Sequence, residues 1–138
     1  MKKLFHSLLL MAARMSVRRS TNTQTVIDAR ITEGLDRWIA EKGFCRPDSG
    51  LDSVAEIINV NREALSYYCR TVLNVKFLSW RKQLRINEAC RIMRENPEIS
   101  FSDVSLLVGI PDRTNFRRQF FEVTGLTPAD FLGSLSCK

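Results

Sequence analysis

A chain of 138 residues can hold one or two small domains with a real core, and it is too short for a large enzyme. Its 44% hydrophobic and 26% charged residues are those of a globular protein, which excludes a disordered or fibrous chain. The formal charge of +6 favours polyanionic partners, yet much of it sits in the first thirty residues, where Lys2, Lys3, Arg14, Arg18, Arg19 and Arg30 are set against Asp28 alone. Beyond them the chain is nearly neutral, so the placement of basic groups matters more than their number.

Residues 1–25 start with Lys2-Lys3 and the apolar run LFHSLLLMAA, which has the outward look of a signal peptide. His6 and Ser7 interrupt the run and Arg14, Arg18 and Arg19 follow it; it is far short of the roughly 20 apolar residues a bilayer span needs. Residues 1–30 are read as a basic tail or linker with a frayed amphipathic helix, and SVRRSTNTQT as a flexible polar joint. Attachment of this tail to a membrane surface is the lesser alternative.

From about Val26 the steps Ile27, Ile31, Leu35, Trp38 and Ile39 predict a helix with one apolar face, closed by Gly43 and the breaker-rich loop Arg46-Pro47-Asp48-Ser49-Gly50. A short helix carrying Val54, Ala55, Ile57 and Ile58 follows. The turn Asn59-Val60-Asn61 comes next, with Asn61 as the expected N-cap of a helix whose seam is Leu65, Tyr68, Cys69, Val72 and Leu73. A long helix is expected from about Phe77 to Glu95, with Leu78, Leu84, Ile86, Ala89, Cys90, Ile92 and Met93 apolar, stopped by Asn96-Pro97. Ser100 and Asp103 form a capping box for a short helix with Val104, Leu106, Leu107 and Val108. After a turn at Gly109, Arg113, Arg117 and Arg118 lie opposite a seam of Phe116, Phe120 and Val123; Gly125 ends that helix, and Thr127-Pro128 opens the last. Nothing alternates with period two, so the chain is expected to be all-α.

The two halves repeat. At an offset of about fifty, Val54 matches Val104, Ala55 Ser105, Ile58 Val108 and Val60 Ile110. After one inserted residue at Pro111-Asp112, Leu65 matches Phe116, Cys69 Phe120, Asn74 Gly125, Phe77 Pro128 and Trp80 Phe131. These are core and turn positions, so one helix-turn-helix unit is present twice, at about 51–74 and 101–125, joined by the helix at about 77–95.

Cys45, Cys69, Cys90 and Cys137 are scattered without a Cys-x-x-Cys pair, and His6 is the only histidine, so neither a zinc site nor a disulfide framework is expected. Cys69 and Cys90 fall at buried apolar positions, and reduced thiols suit the cytoplasm. No Cys/His pair, carboxylate cluster or phosphate-binding glycine loop points to catalysis, so no enzyme and no cofactor is expected.

The chain resembles the AraC/XylS family of bacterial transcription regulators, in their C-terminal DNA-binding domain of two helix-turn-helix units, over about residues 31–136. The second-unit signature is carried by Val104, Gly109, Asn115-Phe116, Arg118, Phe120, Gly125, Thr127-Pro128 and Phe131. The linker-helix signature is Leu84-Arg85-Ile86 and Ala89, and the first unit's is Ala55, Leu65 and Cys69. Phe77 with Trp80 resembles the regulators common in Bacteroidetes. Departures are Asn74 for the usual Gly, Tyr67 for the usual Arg, Ile110 for Phe and Phe121 for Lys.

The resemblance implies double-stranded DNA as partner, read by two recognition helices in adjacent major grooves, with RNA polymerase or a sensor domain as protein partners. No small-molecule site is visible. The effector-binding region of the family is expected to be missing or reduced to the tail. In the second unit Arg113, Thr114, Asn115, Arg117 and Arg118 are the candidate DNA contacts, since arginine can bridge guanine O6 and N7. In the first, Arg62, Glu63, Ser66, Tyr67 and Arg70 face outward, and Arg81 and Lys82 on the linker helix are candidate phosphate contacts. Arg85 is read as either a phosphate contact or a structural ion pair. A degenerate helical module that docks proteins or a membrane surface is the competing reading.

Overall fold

The computed structural model describes residues 22–136, so the reading of residues 1–21 lies outside the described residues. All regular structure among them is helical, with seven α-helices. They gather into two units: 22–43 with 48–80, and 44–47 with 81–136.

In the first unit α1 runs Asn22–Ala40, starting ahead of Val26 and taking in part of the stretch read as a flexible joint. Polar i to i+4 bonding extends it: Gln24 Nε2 donates to Asp28 Oδ1 at 2.9 Å, and Thr32 Oγ1 to the Asp28 carbonyl at 2.8 Å. Its Ile31, Leu35, Trp38 and Ile39 are buried. α2 is Leu51–Ile57 and α3 is Arg62–Tyr68, continued by a π-helical turn at Cys69–Leu73. Gly34 lets α1 approach the end of α2, since a Cβ there would lie 2.7 Å from Ile58 Cβ. Trp38, Phe77 and Trp80 form an aromatic cluster with centroids 5.8 to 6.1 Å apart.

Two ionisable groups at the end of α3 are held neutral by this core. Tyr68 is fully buried, and its hydroxyl lies 2.6 Å from Thr32 Oγ1. Burial pushes the phenol up to about 12 and the Cys69 thiol up to about 12. Because both folded values are raised, the stability they contribute is present below the ordinary thiol value of 9.0 and is lost as pH rises towards 12. The urea midpoint should therefore fall between pH 8.5 and 11, and should fall less steeply in Cys69→Ala; equal slopes would show that the thiol is not responsible.

α4 runs Phe77–Glu95; its first turn belongs to the first unit and the rest to the second. The second unit adds α5 at Phe101–Leu107, α6 at Arg113–Thr124 and α7 at Pro128–Ser136. Ile86, Ala89, Cys90 and Met93 of α4 pack with Val104, Val108, Ile110, Phe116, Phe120 and Phe131 in one core. Phe120 sits between Phe116 and Phe131, at 5.8 and 5.6 Å. Residues 44–47 form a strap on this unit. Arg85, buried, donates from Nε to the Phe44 carbonyl at 2.6 Å and from a terminal nitrogen to the Arg46 carbonyl at 2.8 Å. Burial, with Arg81 nearby, lowers its guanidinium to about 10. Arg85 is thus an anchor for backbone and not a phosphate contact.

The repeat extends to individual backbone bonds. Ile58 N–H donates to Val54 O and Val60 N–H to Ala55 O; Val108 N–H donates to Val104 O and Ile110 N–H to Ser105 O, all at 2.9 to 3.1 Å. A left-handed residue makes each turn possible, Asn59 (φ 61°) in the first unit and Gly109 (φ 83°) in the second. Another ends each recognition-helix segment, Asn74 (φ 56°) and Gly125 (φ 78°). Four apolar residues counted with the helix seams are nevertheless exposed: Ile57, Leu78, Leu106 and Leu107. A two-turn helix such as α2 or α5 buries only its i, i+1 and i+4 positions, which Val54, Ala55, Ile58 and their counterparts already fill.

Candidate nucleic-acid interface

α6 is aimed by its cap. Asp112 accepts the backbone N–H of Thr114 at 2.9 Å and of Asn115 at 3.4 Å, satisfying two of the donors the helix start leaves open. With Phe116 and Phe120 turned into the core, Arg113, Thr114, Arg117 and Arg118 are exposed. Asn115 is half-buried and occupied: its Nδ2 donates to Asp112 Oδ2 at 3.2 Å, and its Oδ1 accepts from Arg118 at 2.9 Å. Arg113 and Arg117 border an open concavity of about 360 Å³ lined also by Thr114, Phe116, Phe101, Pro128 and Ala129. Two guanidiniums one helical turn apart, on a helix braced from behind by phenylalanines, form a cationic ridge.

α3 is capped in the same way, Asn61 Oδ1 accepting the Ala64 N–H at 2.7 Å. Arg62, Glu63, Tyr67 and Arg70 are exposed and Ser66 is half-buried. Arg62 is tied back to α2, its Nε lying 2.8 Å from Asp52 Oδ1. In the register of the repeat, this face offers Ser66 and Tyr67 where α6 offers Arg117 and Arg118, and Glu63 where α6 offers Thr114. On α4, Arg81 and Lys82 are half-buried. Burial lowers the Arg81 guanidinium, and Lys82 Nζ lies 3.7 Å from Glu122 Oε1 of α6.

Sequence reasoning missed two residues of this region. Asp112 enters the sequence reading only as part of an insertion, although an Asp directly ahead of a Phe-spaced helix is an N-cap signal. Glu122, four residues after Arg118, is not among the residues singled out from the sequence; its neighbour from α4 is a tertiary contact with no local signature.

A helix-turn-helix domain family of the AraC type matches residues 54–134, more than half of the chain. The chain belongs to the AraC-type helix-turn-helix family of DNA-binding transcription regulators. It is 33% identical over 86 residues to the arabinose operon regulatory protein of Escherichia coli (strain K12), a match covering 61% of this chain and 29% of that protein. The counterpart from Salmonella typhimurium is likewise 33% identical over 86 residues, 61% of this chain and 30% of that one. The chain thus spans less than a third of the length of these relatives. Among solved structures, the C-terminal domain of AraT, a response regulator from Geobacillus stearothermophilus, has a TM-score of 0.69 at 23% identity, covering 76% of this chain and 84% of that one. The C-terminal domain of the response regulator yesN from Fusobacterium nucleatum has a TM-score of 0.60 at 18% identity, with 81% and 99% covered. The all-helical fold of AraC-type C-terminal domains is therefore shared. No described helix is long and apolar enough to cross a membrane.

Proposed function

We propose that this chain is a sequence-specific transcription regulator that reads double-stranded DNA with α6 and α3 in adjacent major grooves. The observation that carries it is the exposed set Arg113, Thr114, Arg117 and Arg118 on a capped, Phe-braced helix, in a chain of AraC-type family. Arg113 and Arg117 have the fork geometry that pairs guanine O6 and N7, and Thr114 suits a thymine methyl or a phosphate. Asn115 and Arg118, bonded to each other, steady that face and reach the backbone. In the first unit Arg62 and Arg70 meet phosphates, while Glu63, Ser66 and Tyr67 offer acceptors and an aromatic edge to bases, Glu63 suiting cytosine N4. Arg81 and Lys82 add phosphate contacts. Support for two adjacent grooves comes from the 19-residue α4, roughly 28 Å at 1.5 Å per residue, against about 34 Å between successive major grooves. RNA polymerase and a sensor domain are the protein partners this role calls for.

Selection of bound sites from a random duplex library tests the reading. The expected site has two blocks about one helical turn apart, the better defined under the second unit, with affinity falling steeply as salt is raised. Recovery of no enriched sequence, together with no salt-dependent binding to any duplex, would reject it.

A further inference from the structure

The cationic face of the second unit contains one acid placed where it works against polyanion binding. Glu122 lies one turn beyond Arg118 on α6, its Oε1 3.9 Å from an Arg118 terminal nitrogen and 3.7 Å from Lys82 Nζ on α4. One carboxylate oxygen thus faces two cations from two different helices. Arg118 is held from its other side by Asn115 Oδ1, and Asn115 by Asp112. A line of polar contacts therefore runs from the N-cap of α6 through Arg118 to Glu122 and across to Lys82.

None of these side chains is deeply buried; those of Lys82, Glu122 and Arg118 are 31%, 43% and 60% exposed. The pairs are accordingly weak as stabilisers of the fold. Their importance lies in competition. A phosphate that approaches Lys82 or Arg118 meets a cation already partly neutralised, and the carboxylate repels the phosphate at close range. In a second unit whose overall charge is close to neutral, one such acid cancels a substantial part of the local attraction.

We propose that Glu122 is an intramolecular competitor for DNA phosphate, restraining Lys82 and Arg118 and so holding down sequence-independent affinity. The proposal rests on the DNA-binding reading above and adds an affinity-setting residue to it. Phosphates are the same in every sequence, so the restraint acts equally on the regulator's own site and on any other duplex. It keeps general attraction low, leaving occupancy to be decided by the base contacts of Arg113 and Arg117.

The test is Glu122→Gln in the full chain, titrated over a salt series against a selected site and a random-sequence duplex, beside Glu98→Gln, an exposed acid of the same unit with no part in the cluster. Glu122→Gln should bind both duplexes about three- to tenfold more tightly at low salt, with the plot of log affinity against log salt steeper by about 0.9 for each cation released to phosphate. Glu98→Gln should give less than half of that gain, and both thermal midpoints should stay near that of the parent chain. Binding by the parent with no gain in Glu122→Gln, or a gain no larger than that of the control, overturns the proposal alone. A gain confined to the selected site overturns it as well, since that would make Glu122 a reader of bases. Absence of salt-dependent binding by all three proteins overturns the DNA reading itself, and this proposal with it.

Discussion

Replacing Arg113 and Arg117 together by alanine should lower affinity for a selected site by on the order of a hundredfold or more, because each good bidentate guanine contact discriminates by about 1–3 kcal/mol. Both side chains are exposed, so the thermal midpoint should barely change, as surface substitutions stay within about 0.5 kcal/mol. The double Arg→Lys variant separates charge from shape. It keeps both positive charges but loses the planar forks, so it should bind random duplex nearly as well as the parent while losing most of its preference for the selected site. Competition binding with labelled and unlabelled duplexes measures both quantities. An alanine double variant with unchanged affinity and preference would move the reading towards a module that docks something other than DNA.

The second large effect is on stability. Gly109→Ala should destabilise the second unit by more than about 3 kcal/mol, read as a drop in thermal midpoint on the order of 10 °C or more. Two costs add at this position. The backbone sits at φ 83°, a left-handed conformation that alanine resists, and the new Cβ would lie 2.4 Å from the Cys45 carbonyl oxygen. Gly125→Ala isolates the first cost: φ is 78° there, but nothing lies within 4 Å of the added carbon, so about 1 kcal/mol is expected. Similar losses for the two variants would mean that the strap yields easily. The contrast is then between a glycine required by its neighbours and one required only by its own torsion angle.

Most of the architecture was legible because the repeat doubles each local signal. Val54 alone is one apolar residue in a short helix; matched to Val104, with Ala55 and Ser105 beside them, it marks the seat of a recurring turn, and all four are buried. Caps could be read from side chains that bond their own backbone, as Asn61 and Ser100 do. The direction taken by surplus apolar residues could not be read. Leu106 and Leu107 adjoin Val108 in sequence, yet they are exposed while Val108 is buried, because which residues of a two-turn helix face the core depends on how the neighbouring helices meet it. The site divides in the same way. The arginines of α6 were visible from their spacing against the Phe seam. Of the partners that modulate them, Asp112 acts through a local cap, whereas Glu122 meets Lys82 of a helix forty residues away and depends on tertiary placement. Arg85 is the clearest case: only the path of the 44–47 backbone, whose Phe44 and Arg46 carbonyls accept its guanidinium, reveals its role.

That path makes the second unit discontinuous along the chain. Its backbone is drawn from two stretches, and the shorter, 44–47, is synthesised well before the longer. A fragment beginning after residue 47 would hold the whole second helix-turn-helix yet lack the Phe44 and Arg46 carbonyls that accept from the Arg85 guanidinium, losing two hydrogen bonds to a buried charged group. A piece of this protein that keeps the whole second unit therefore reaches back to residue 44, and with it takes in α2 and α3 of the first.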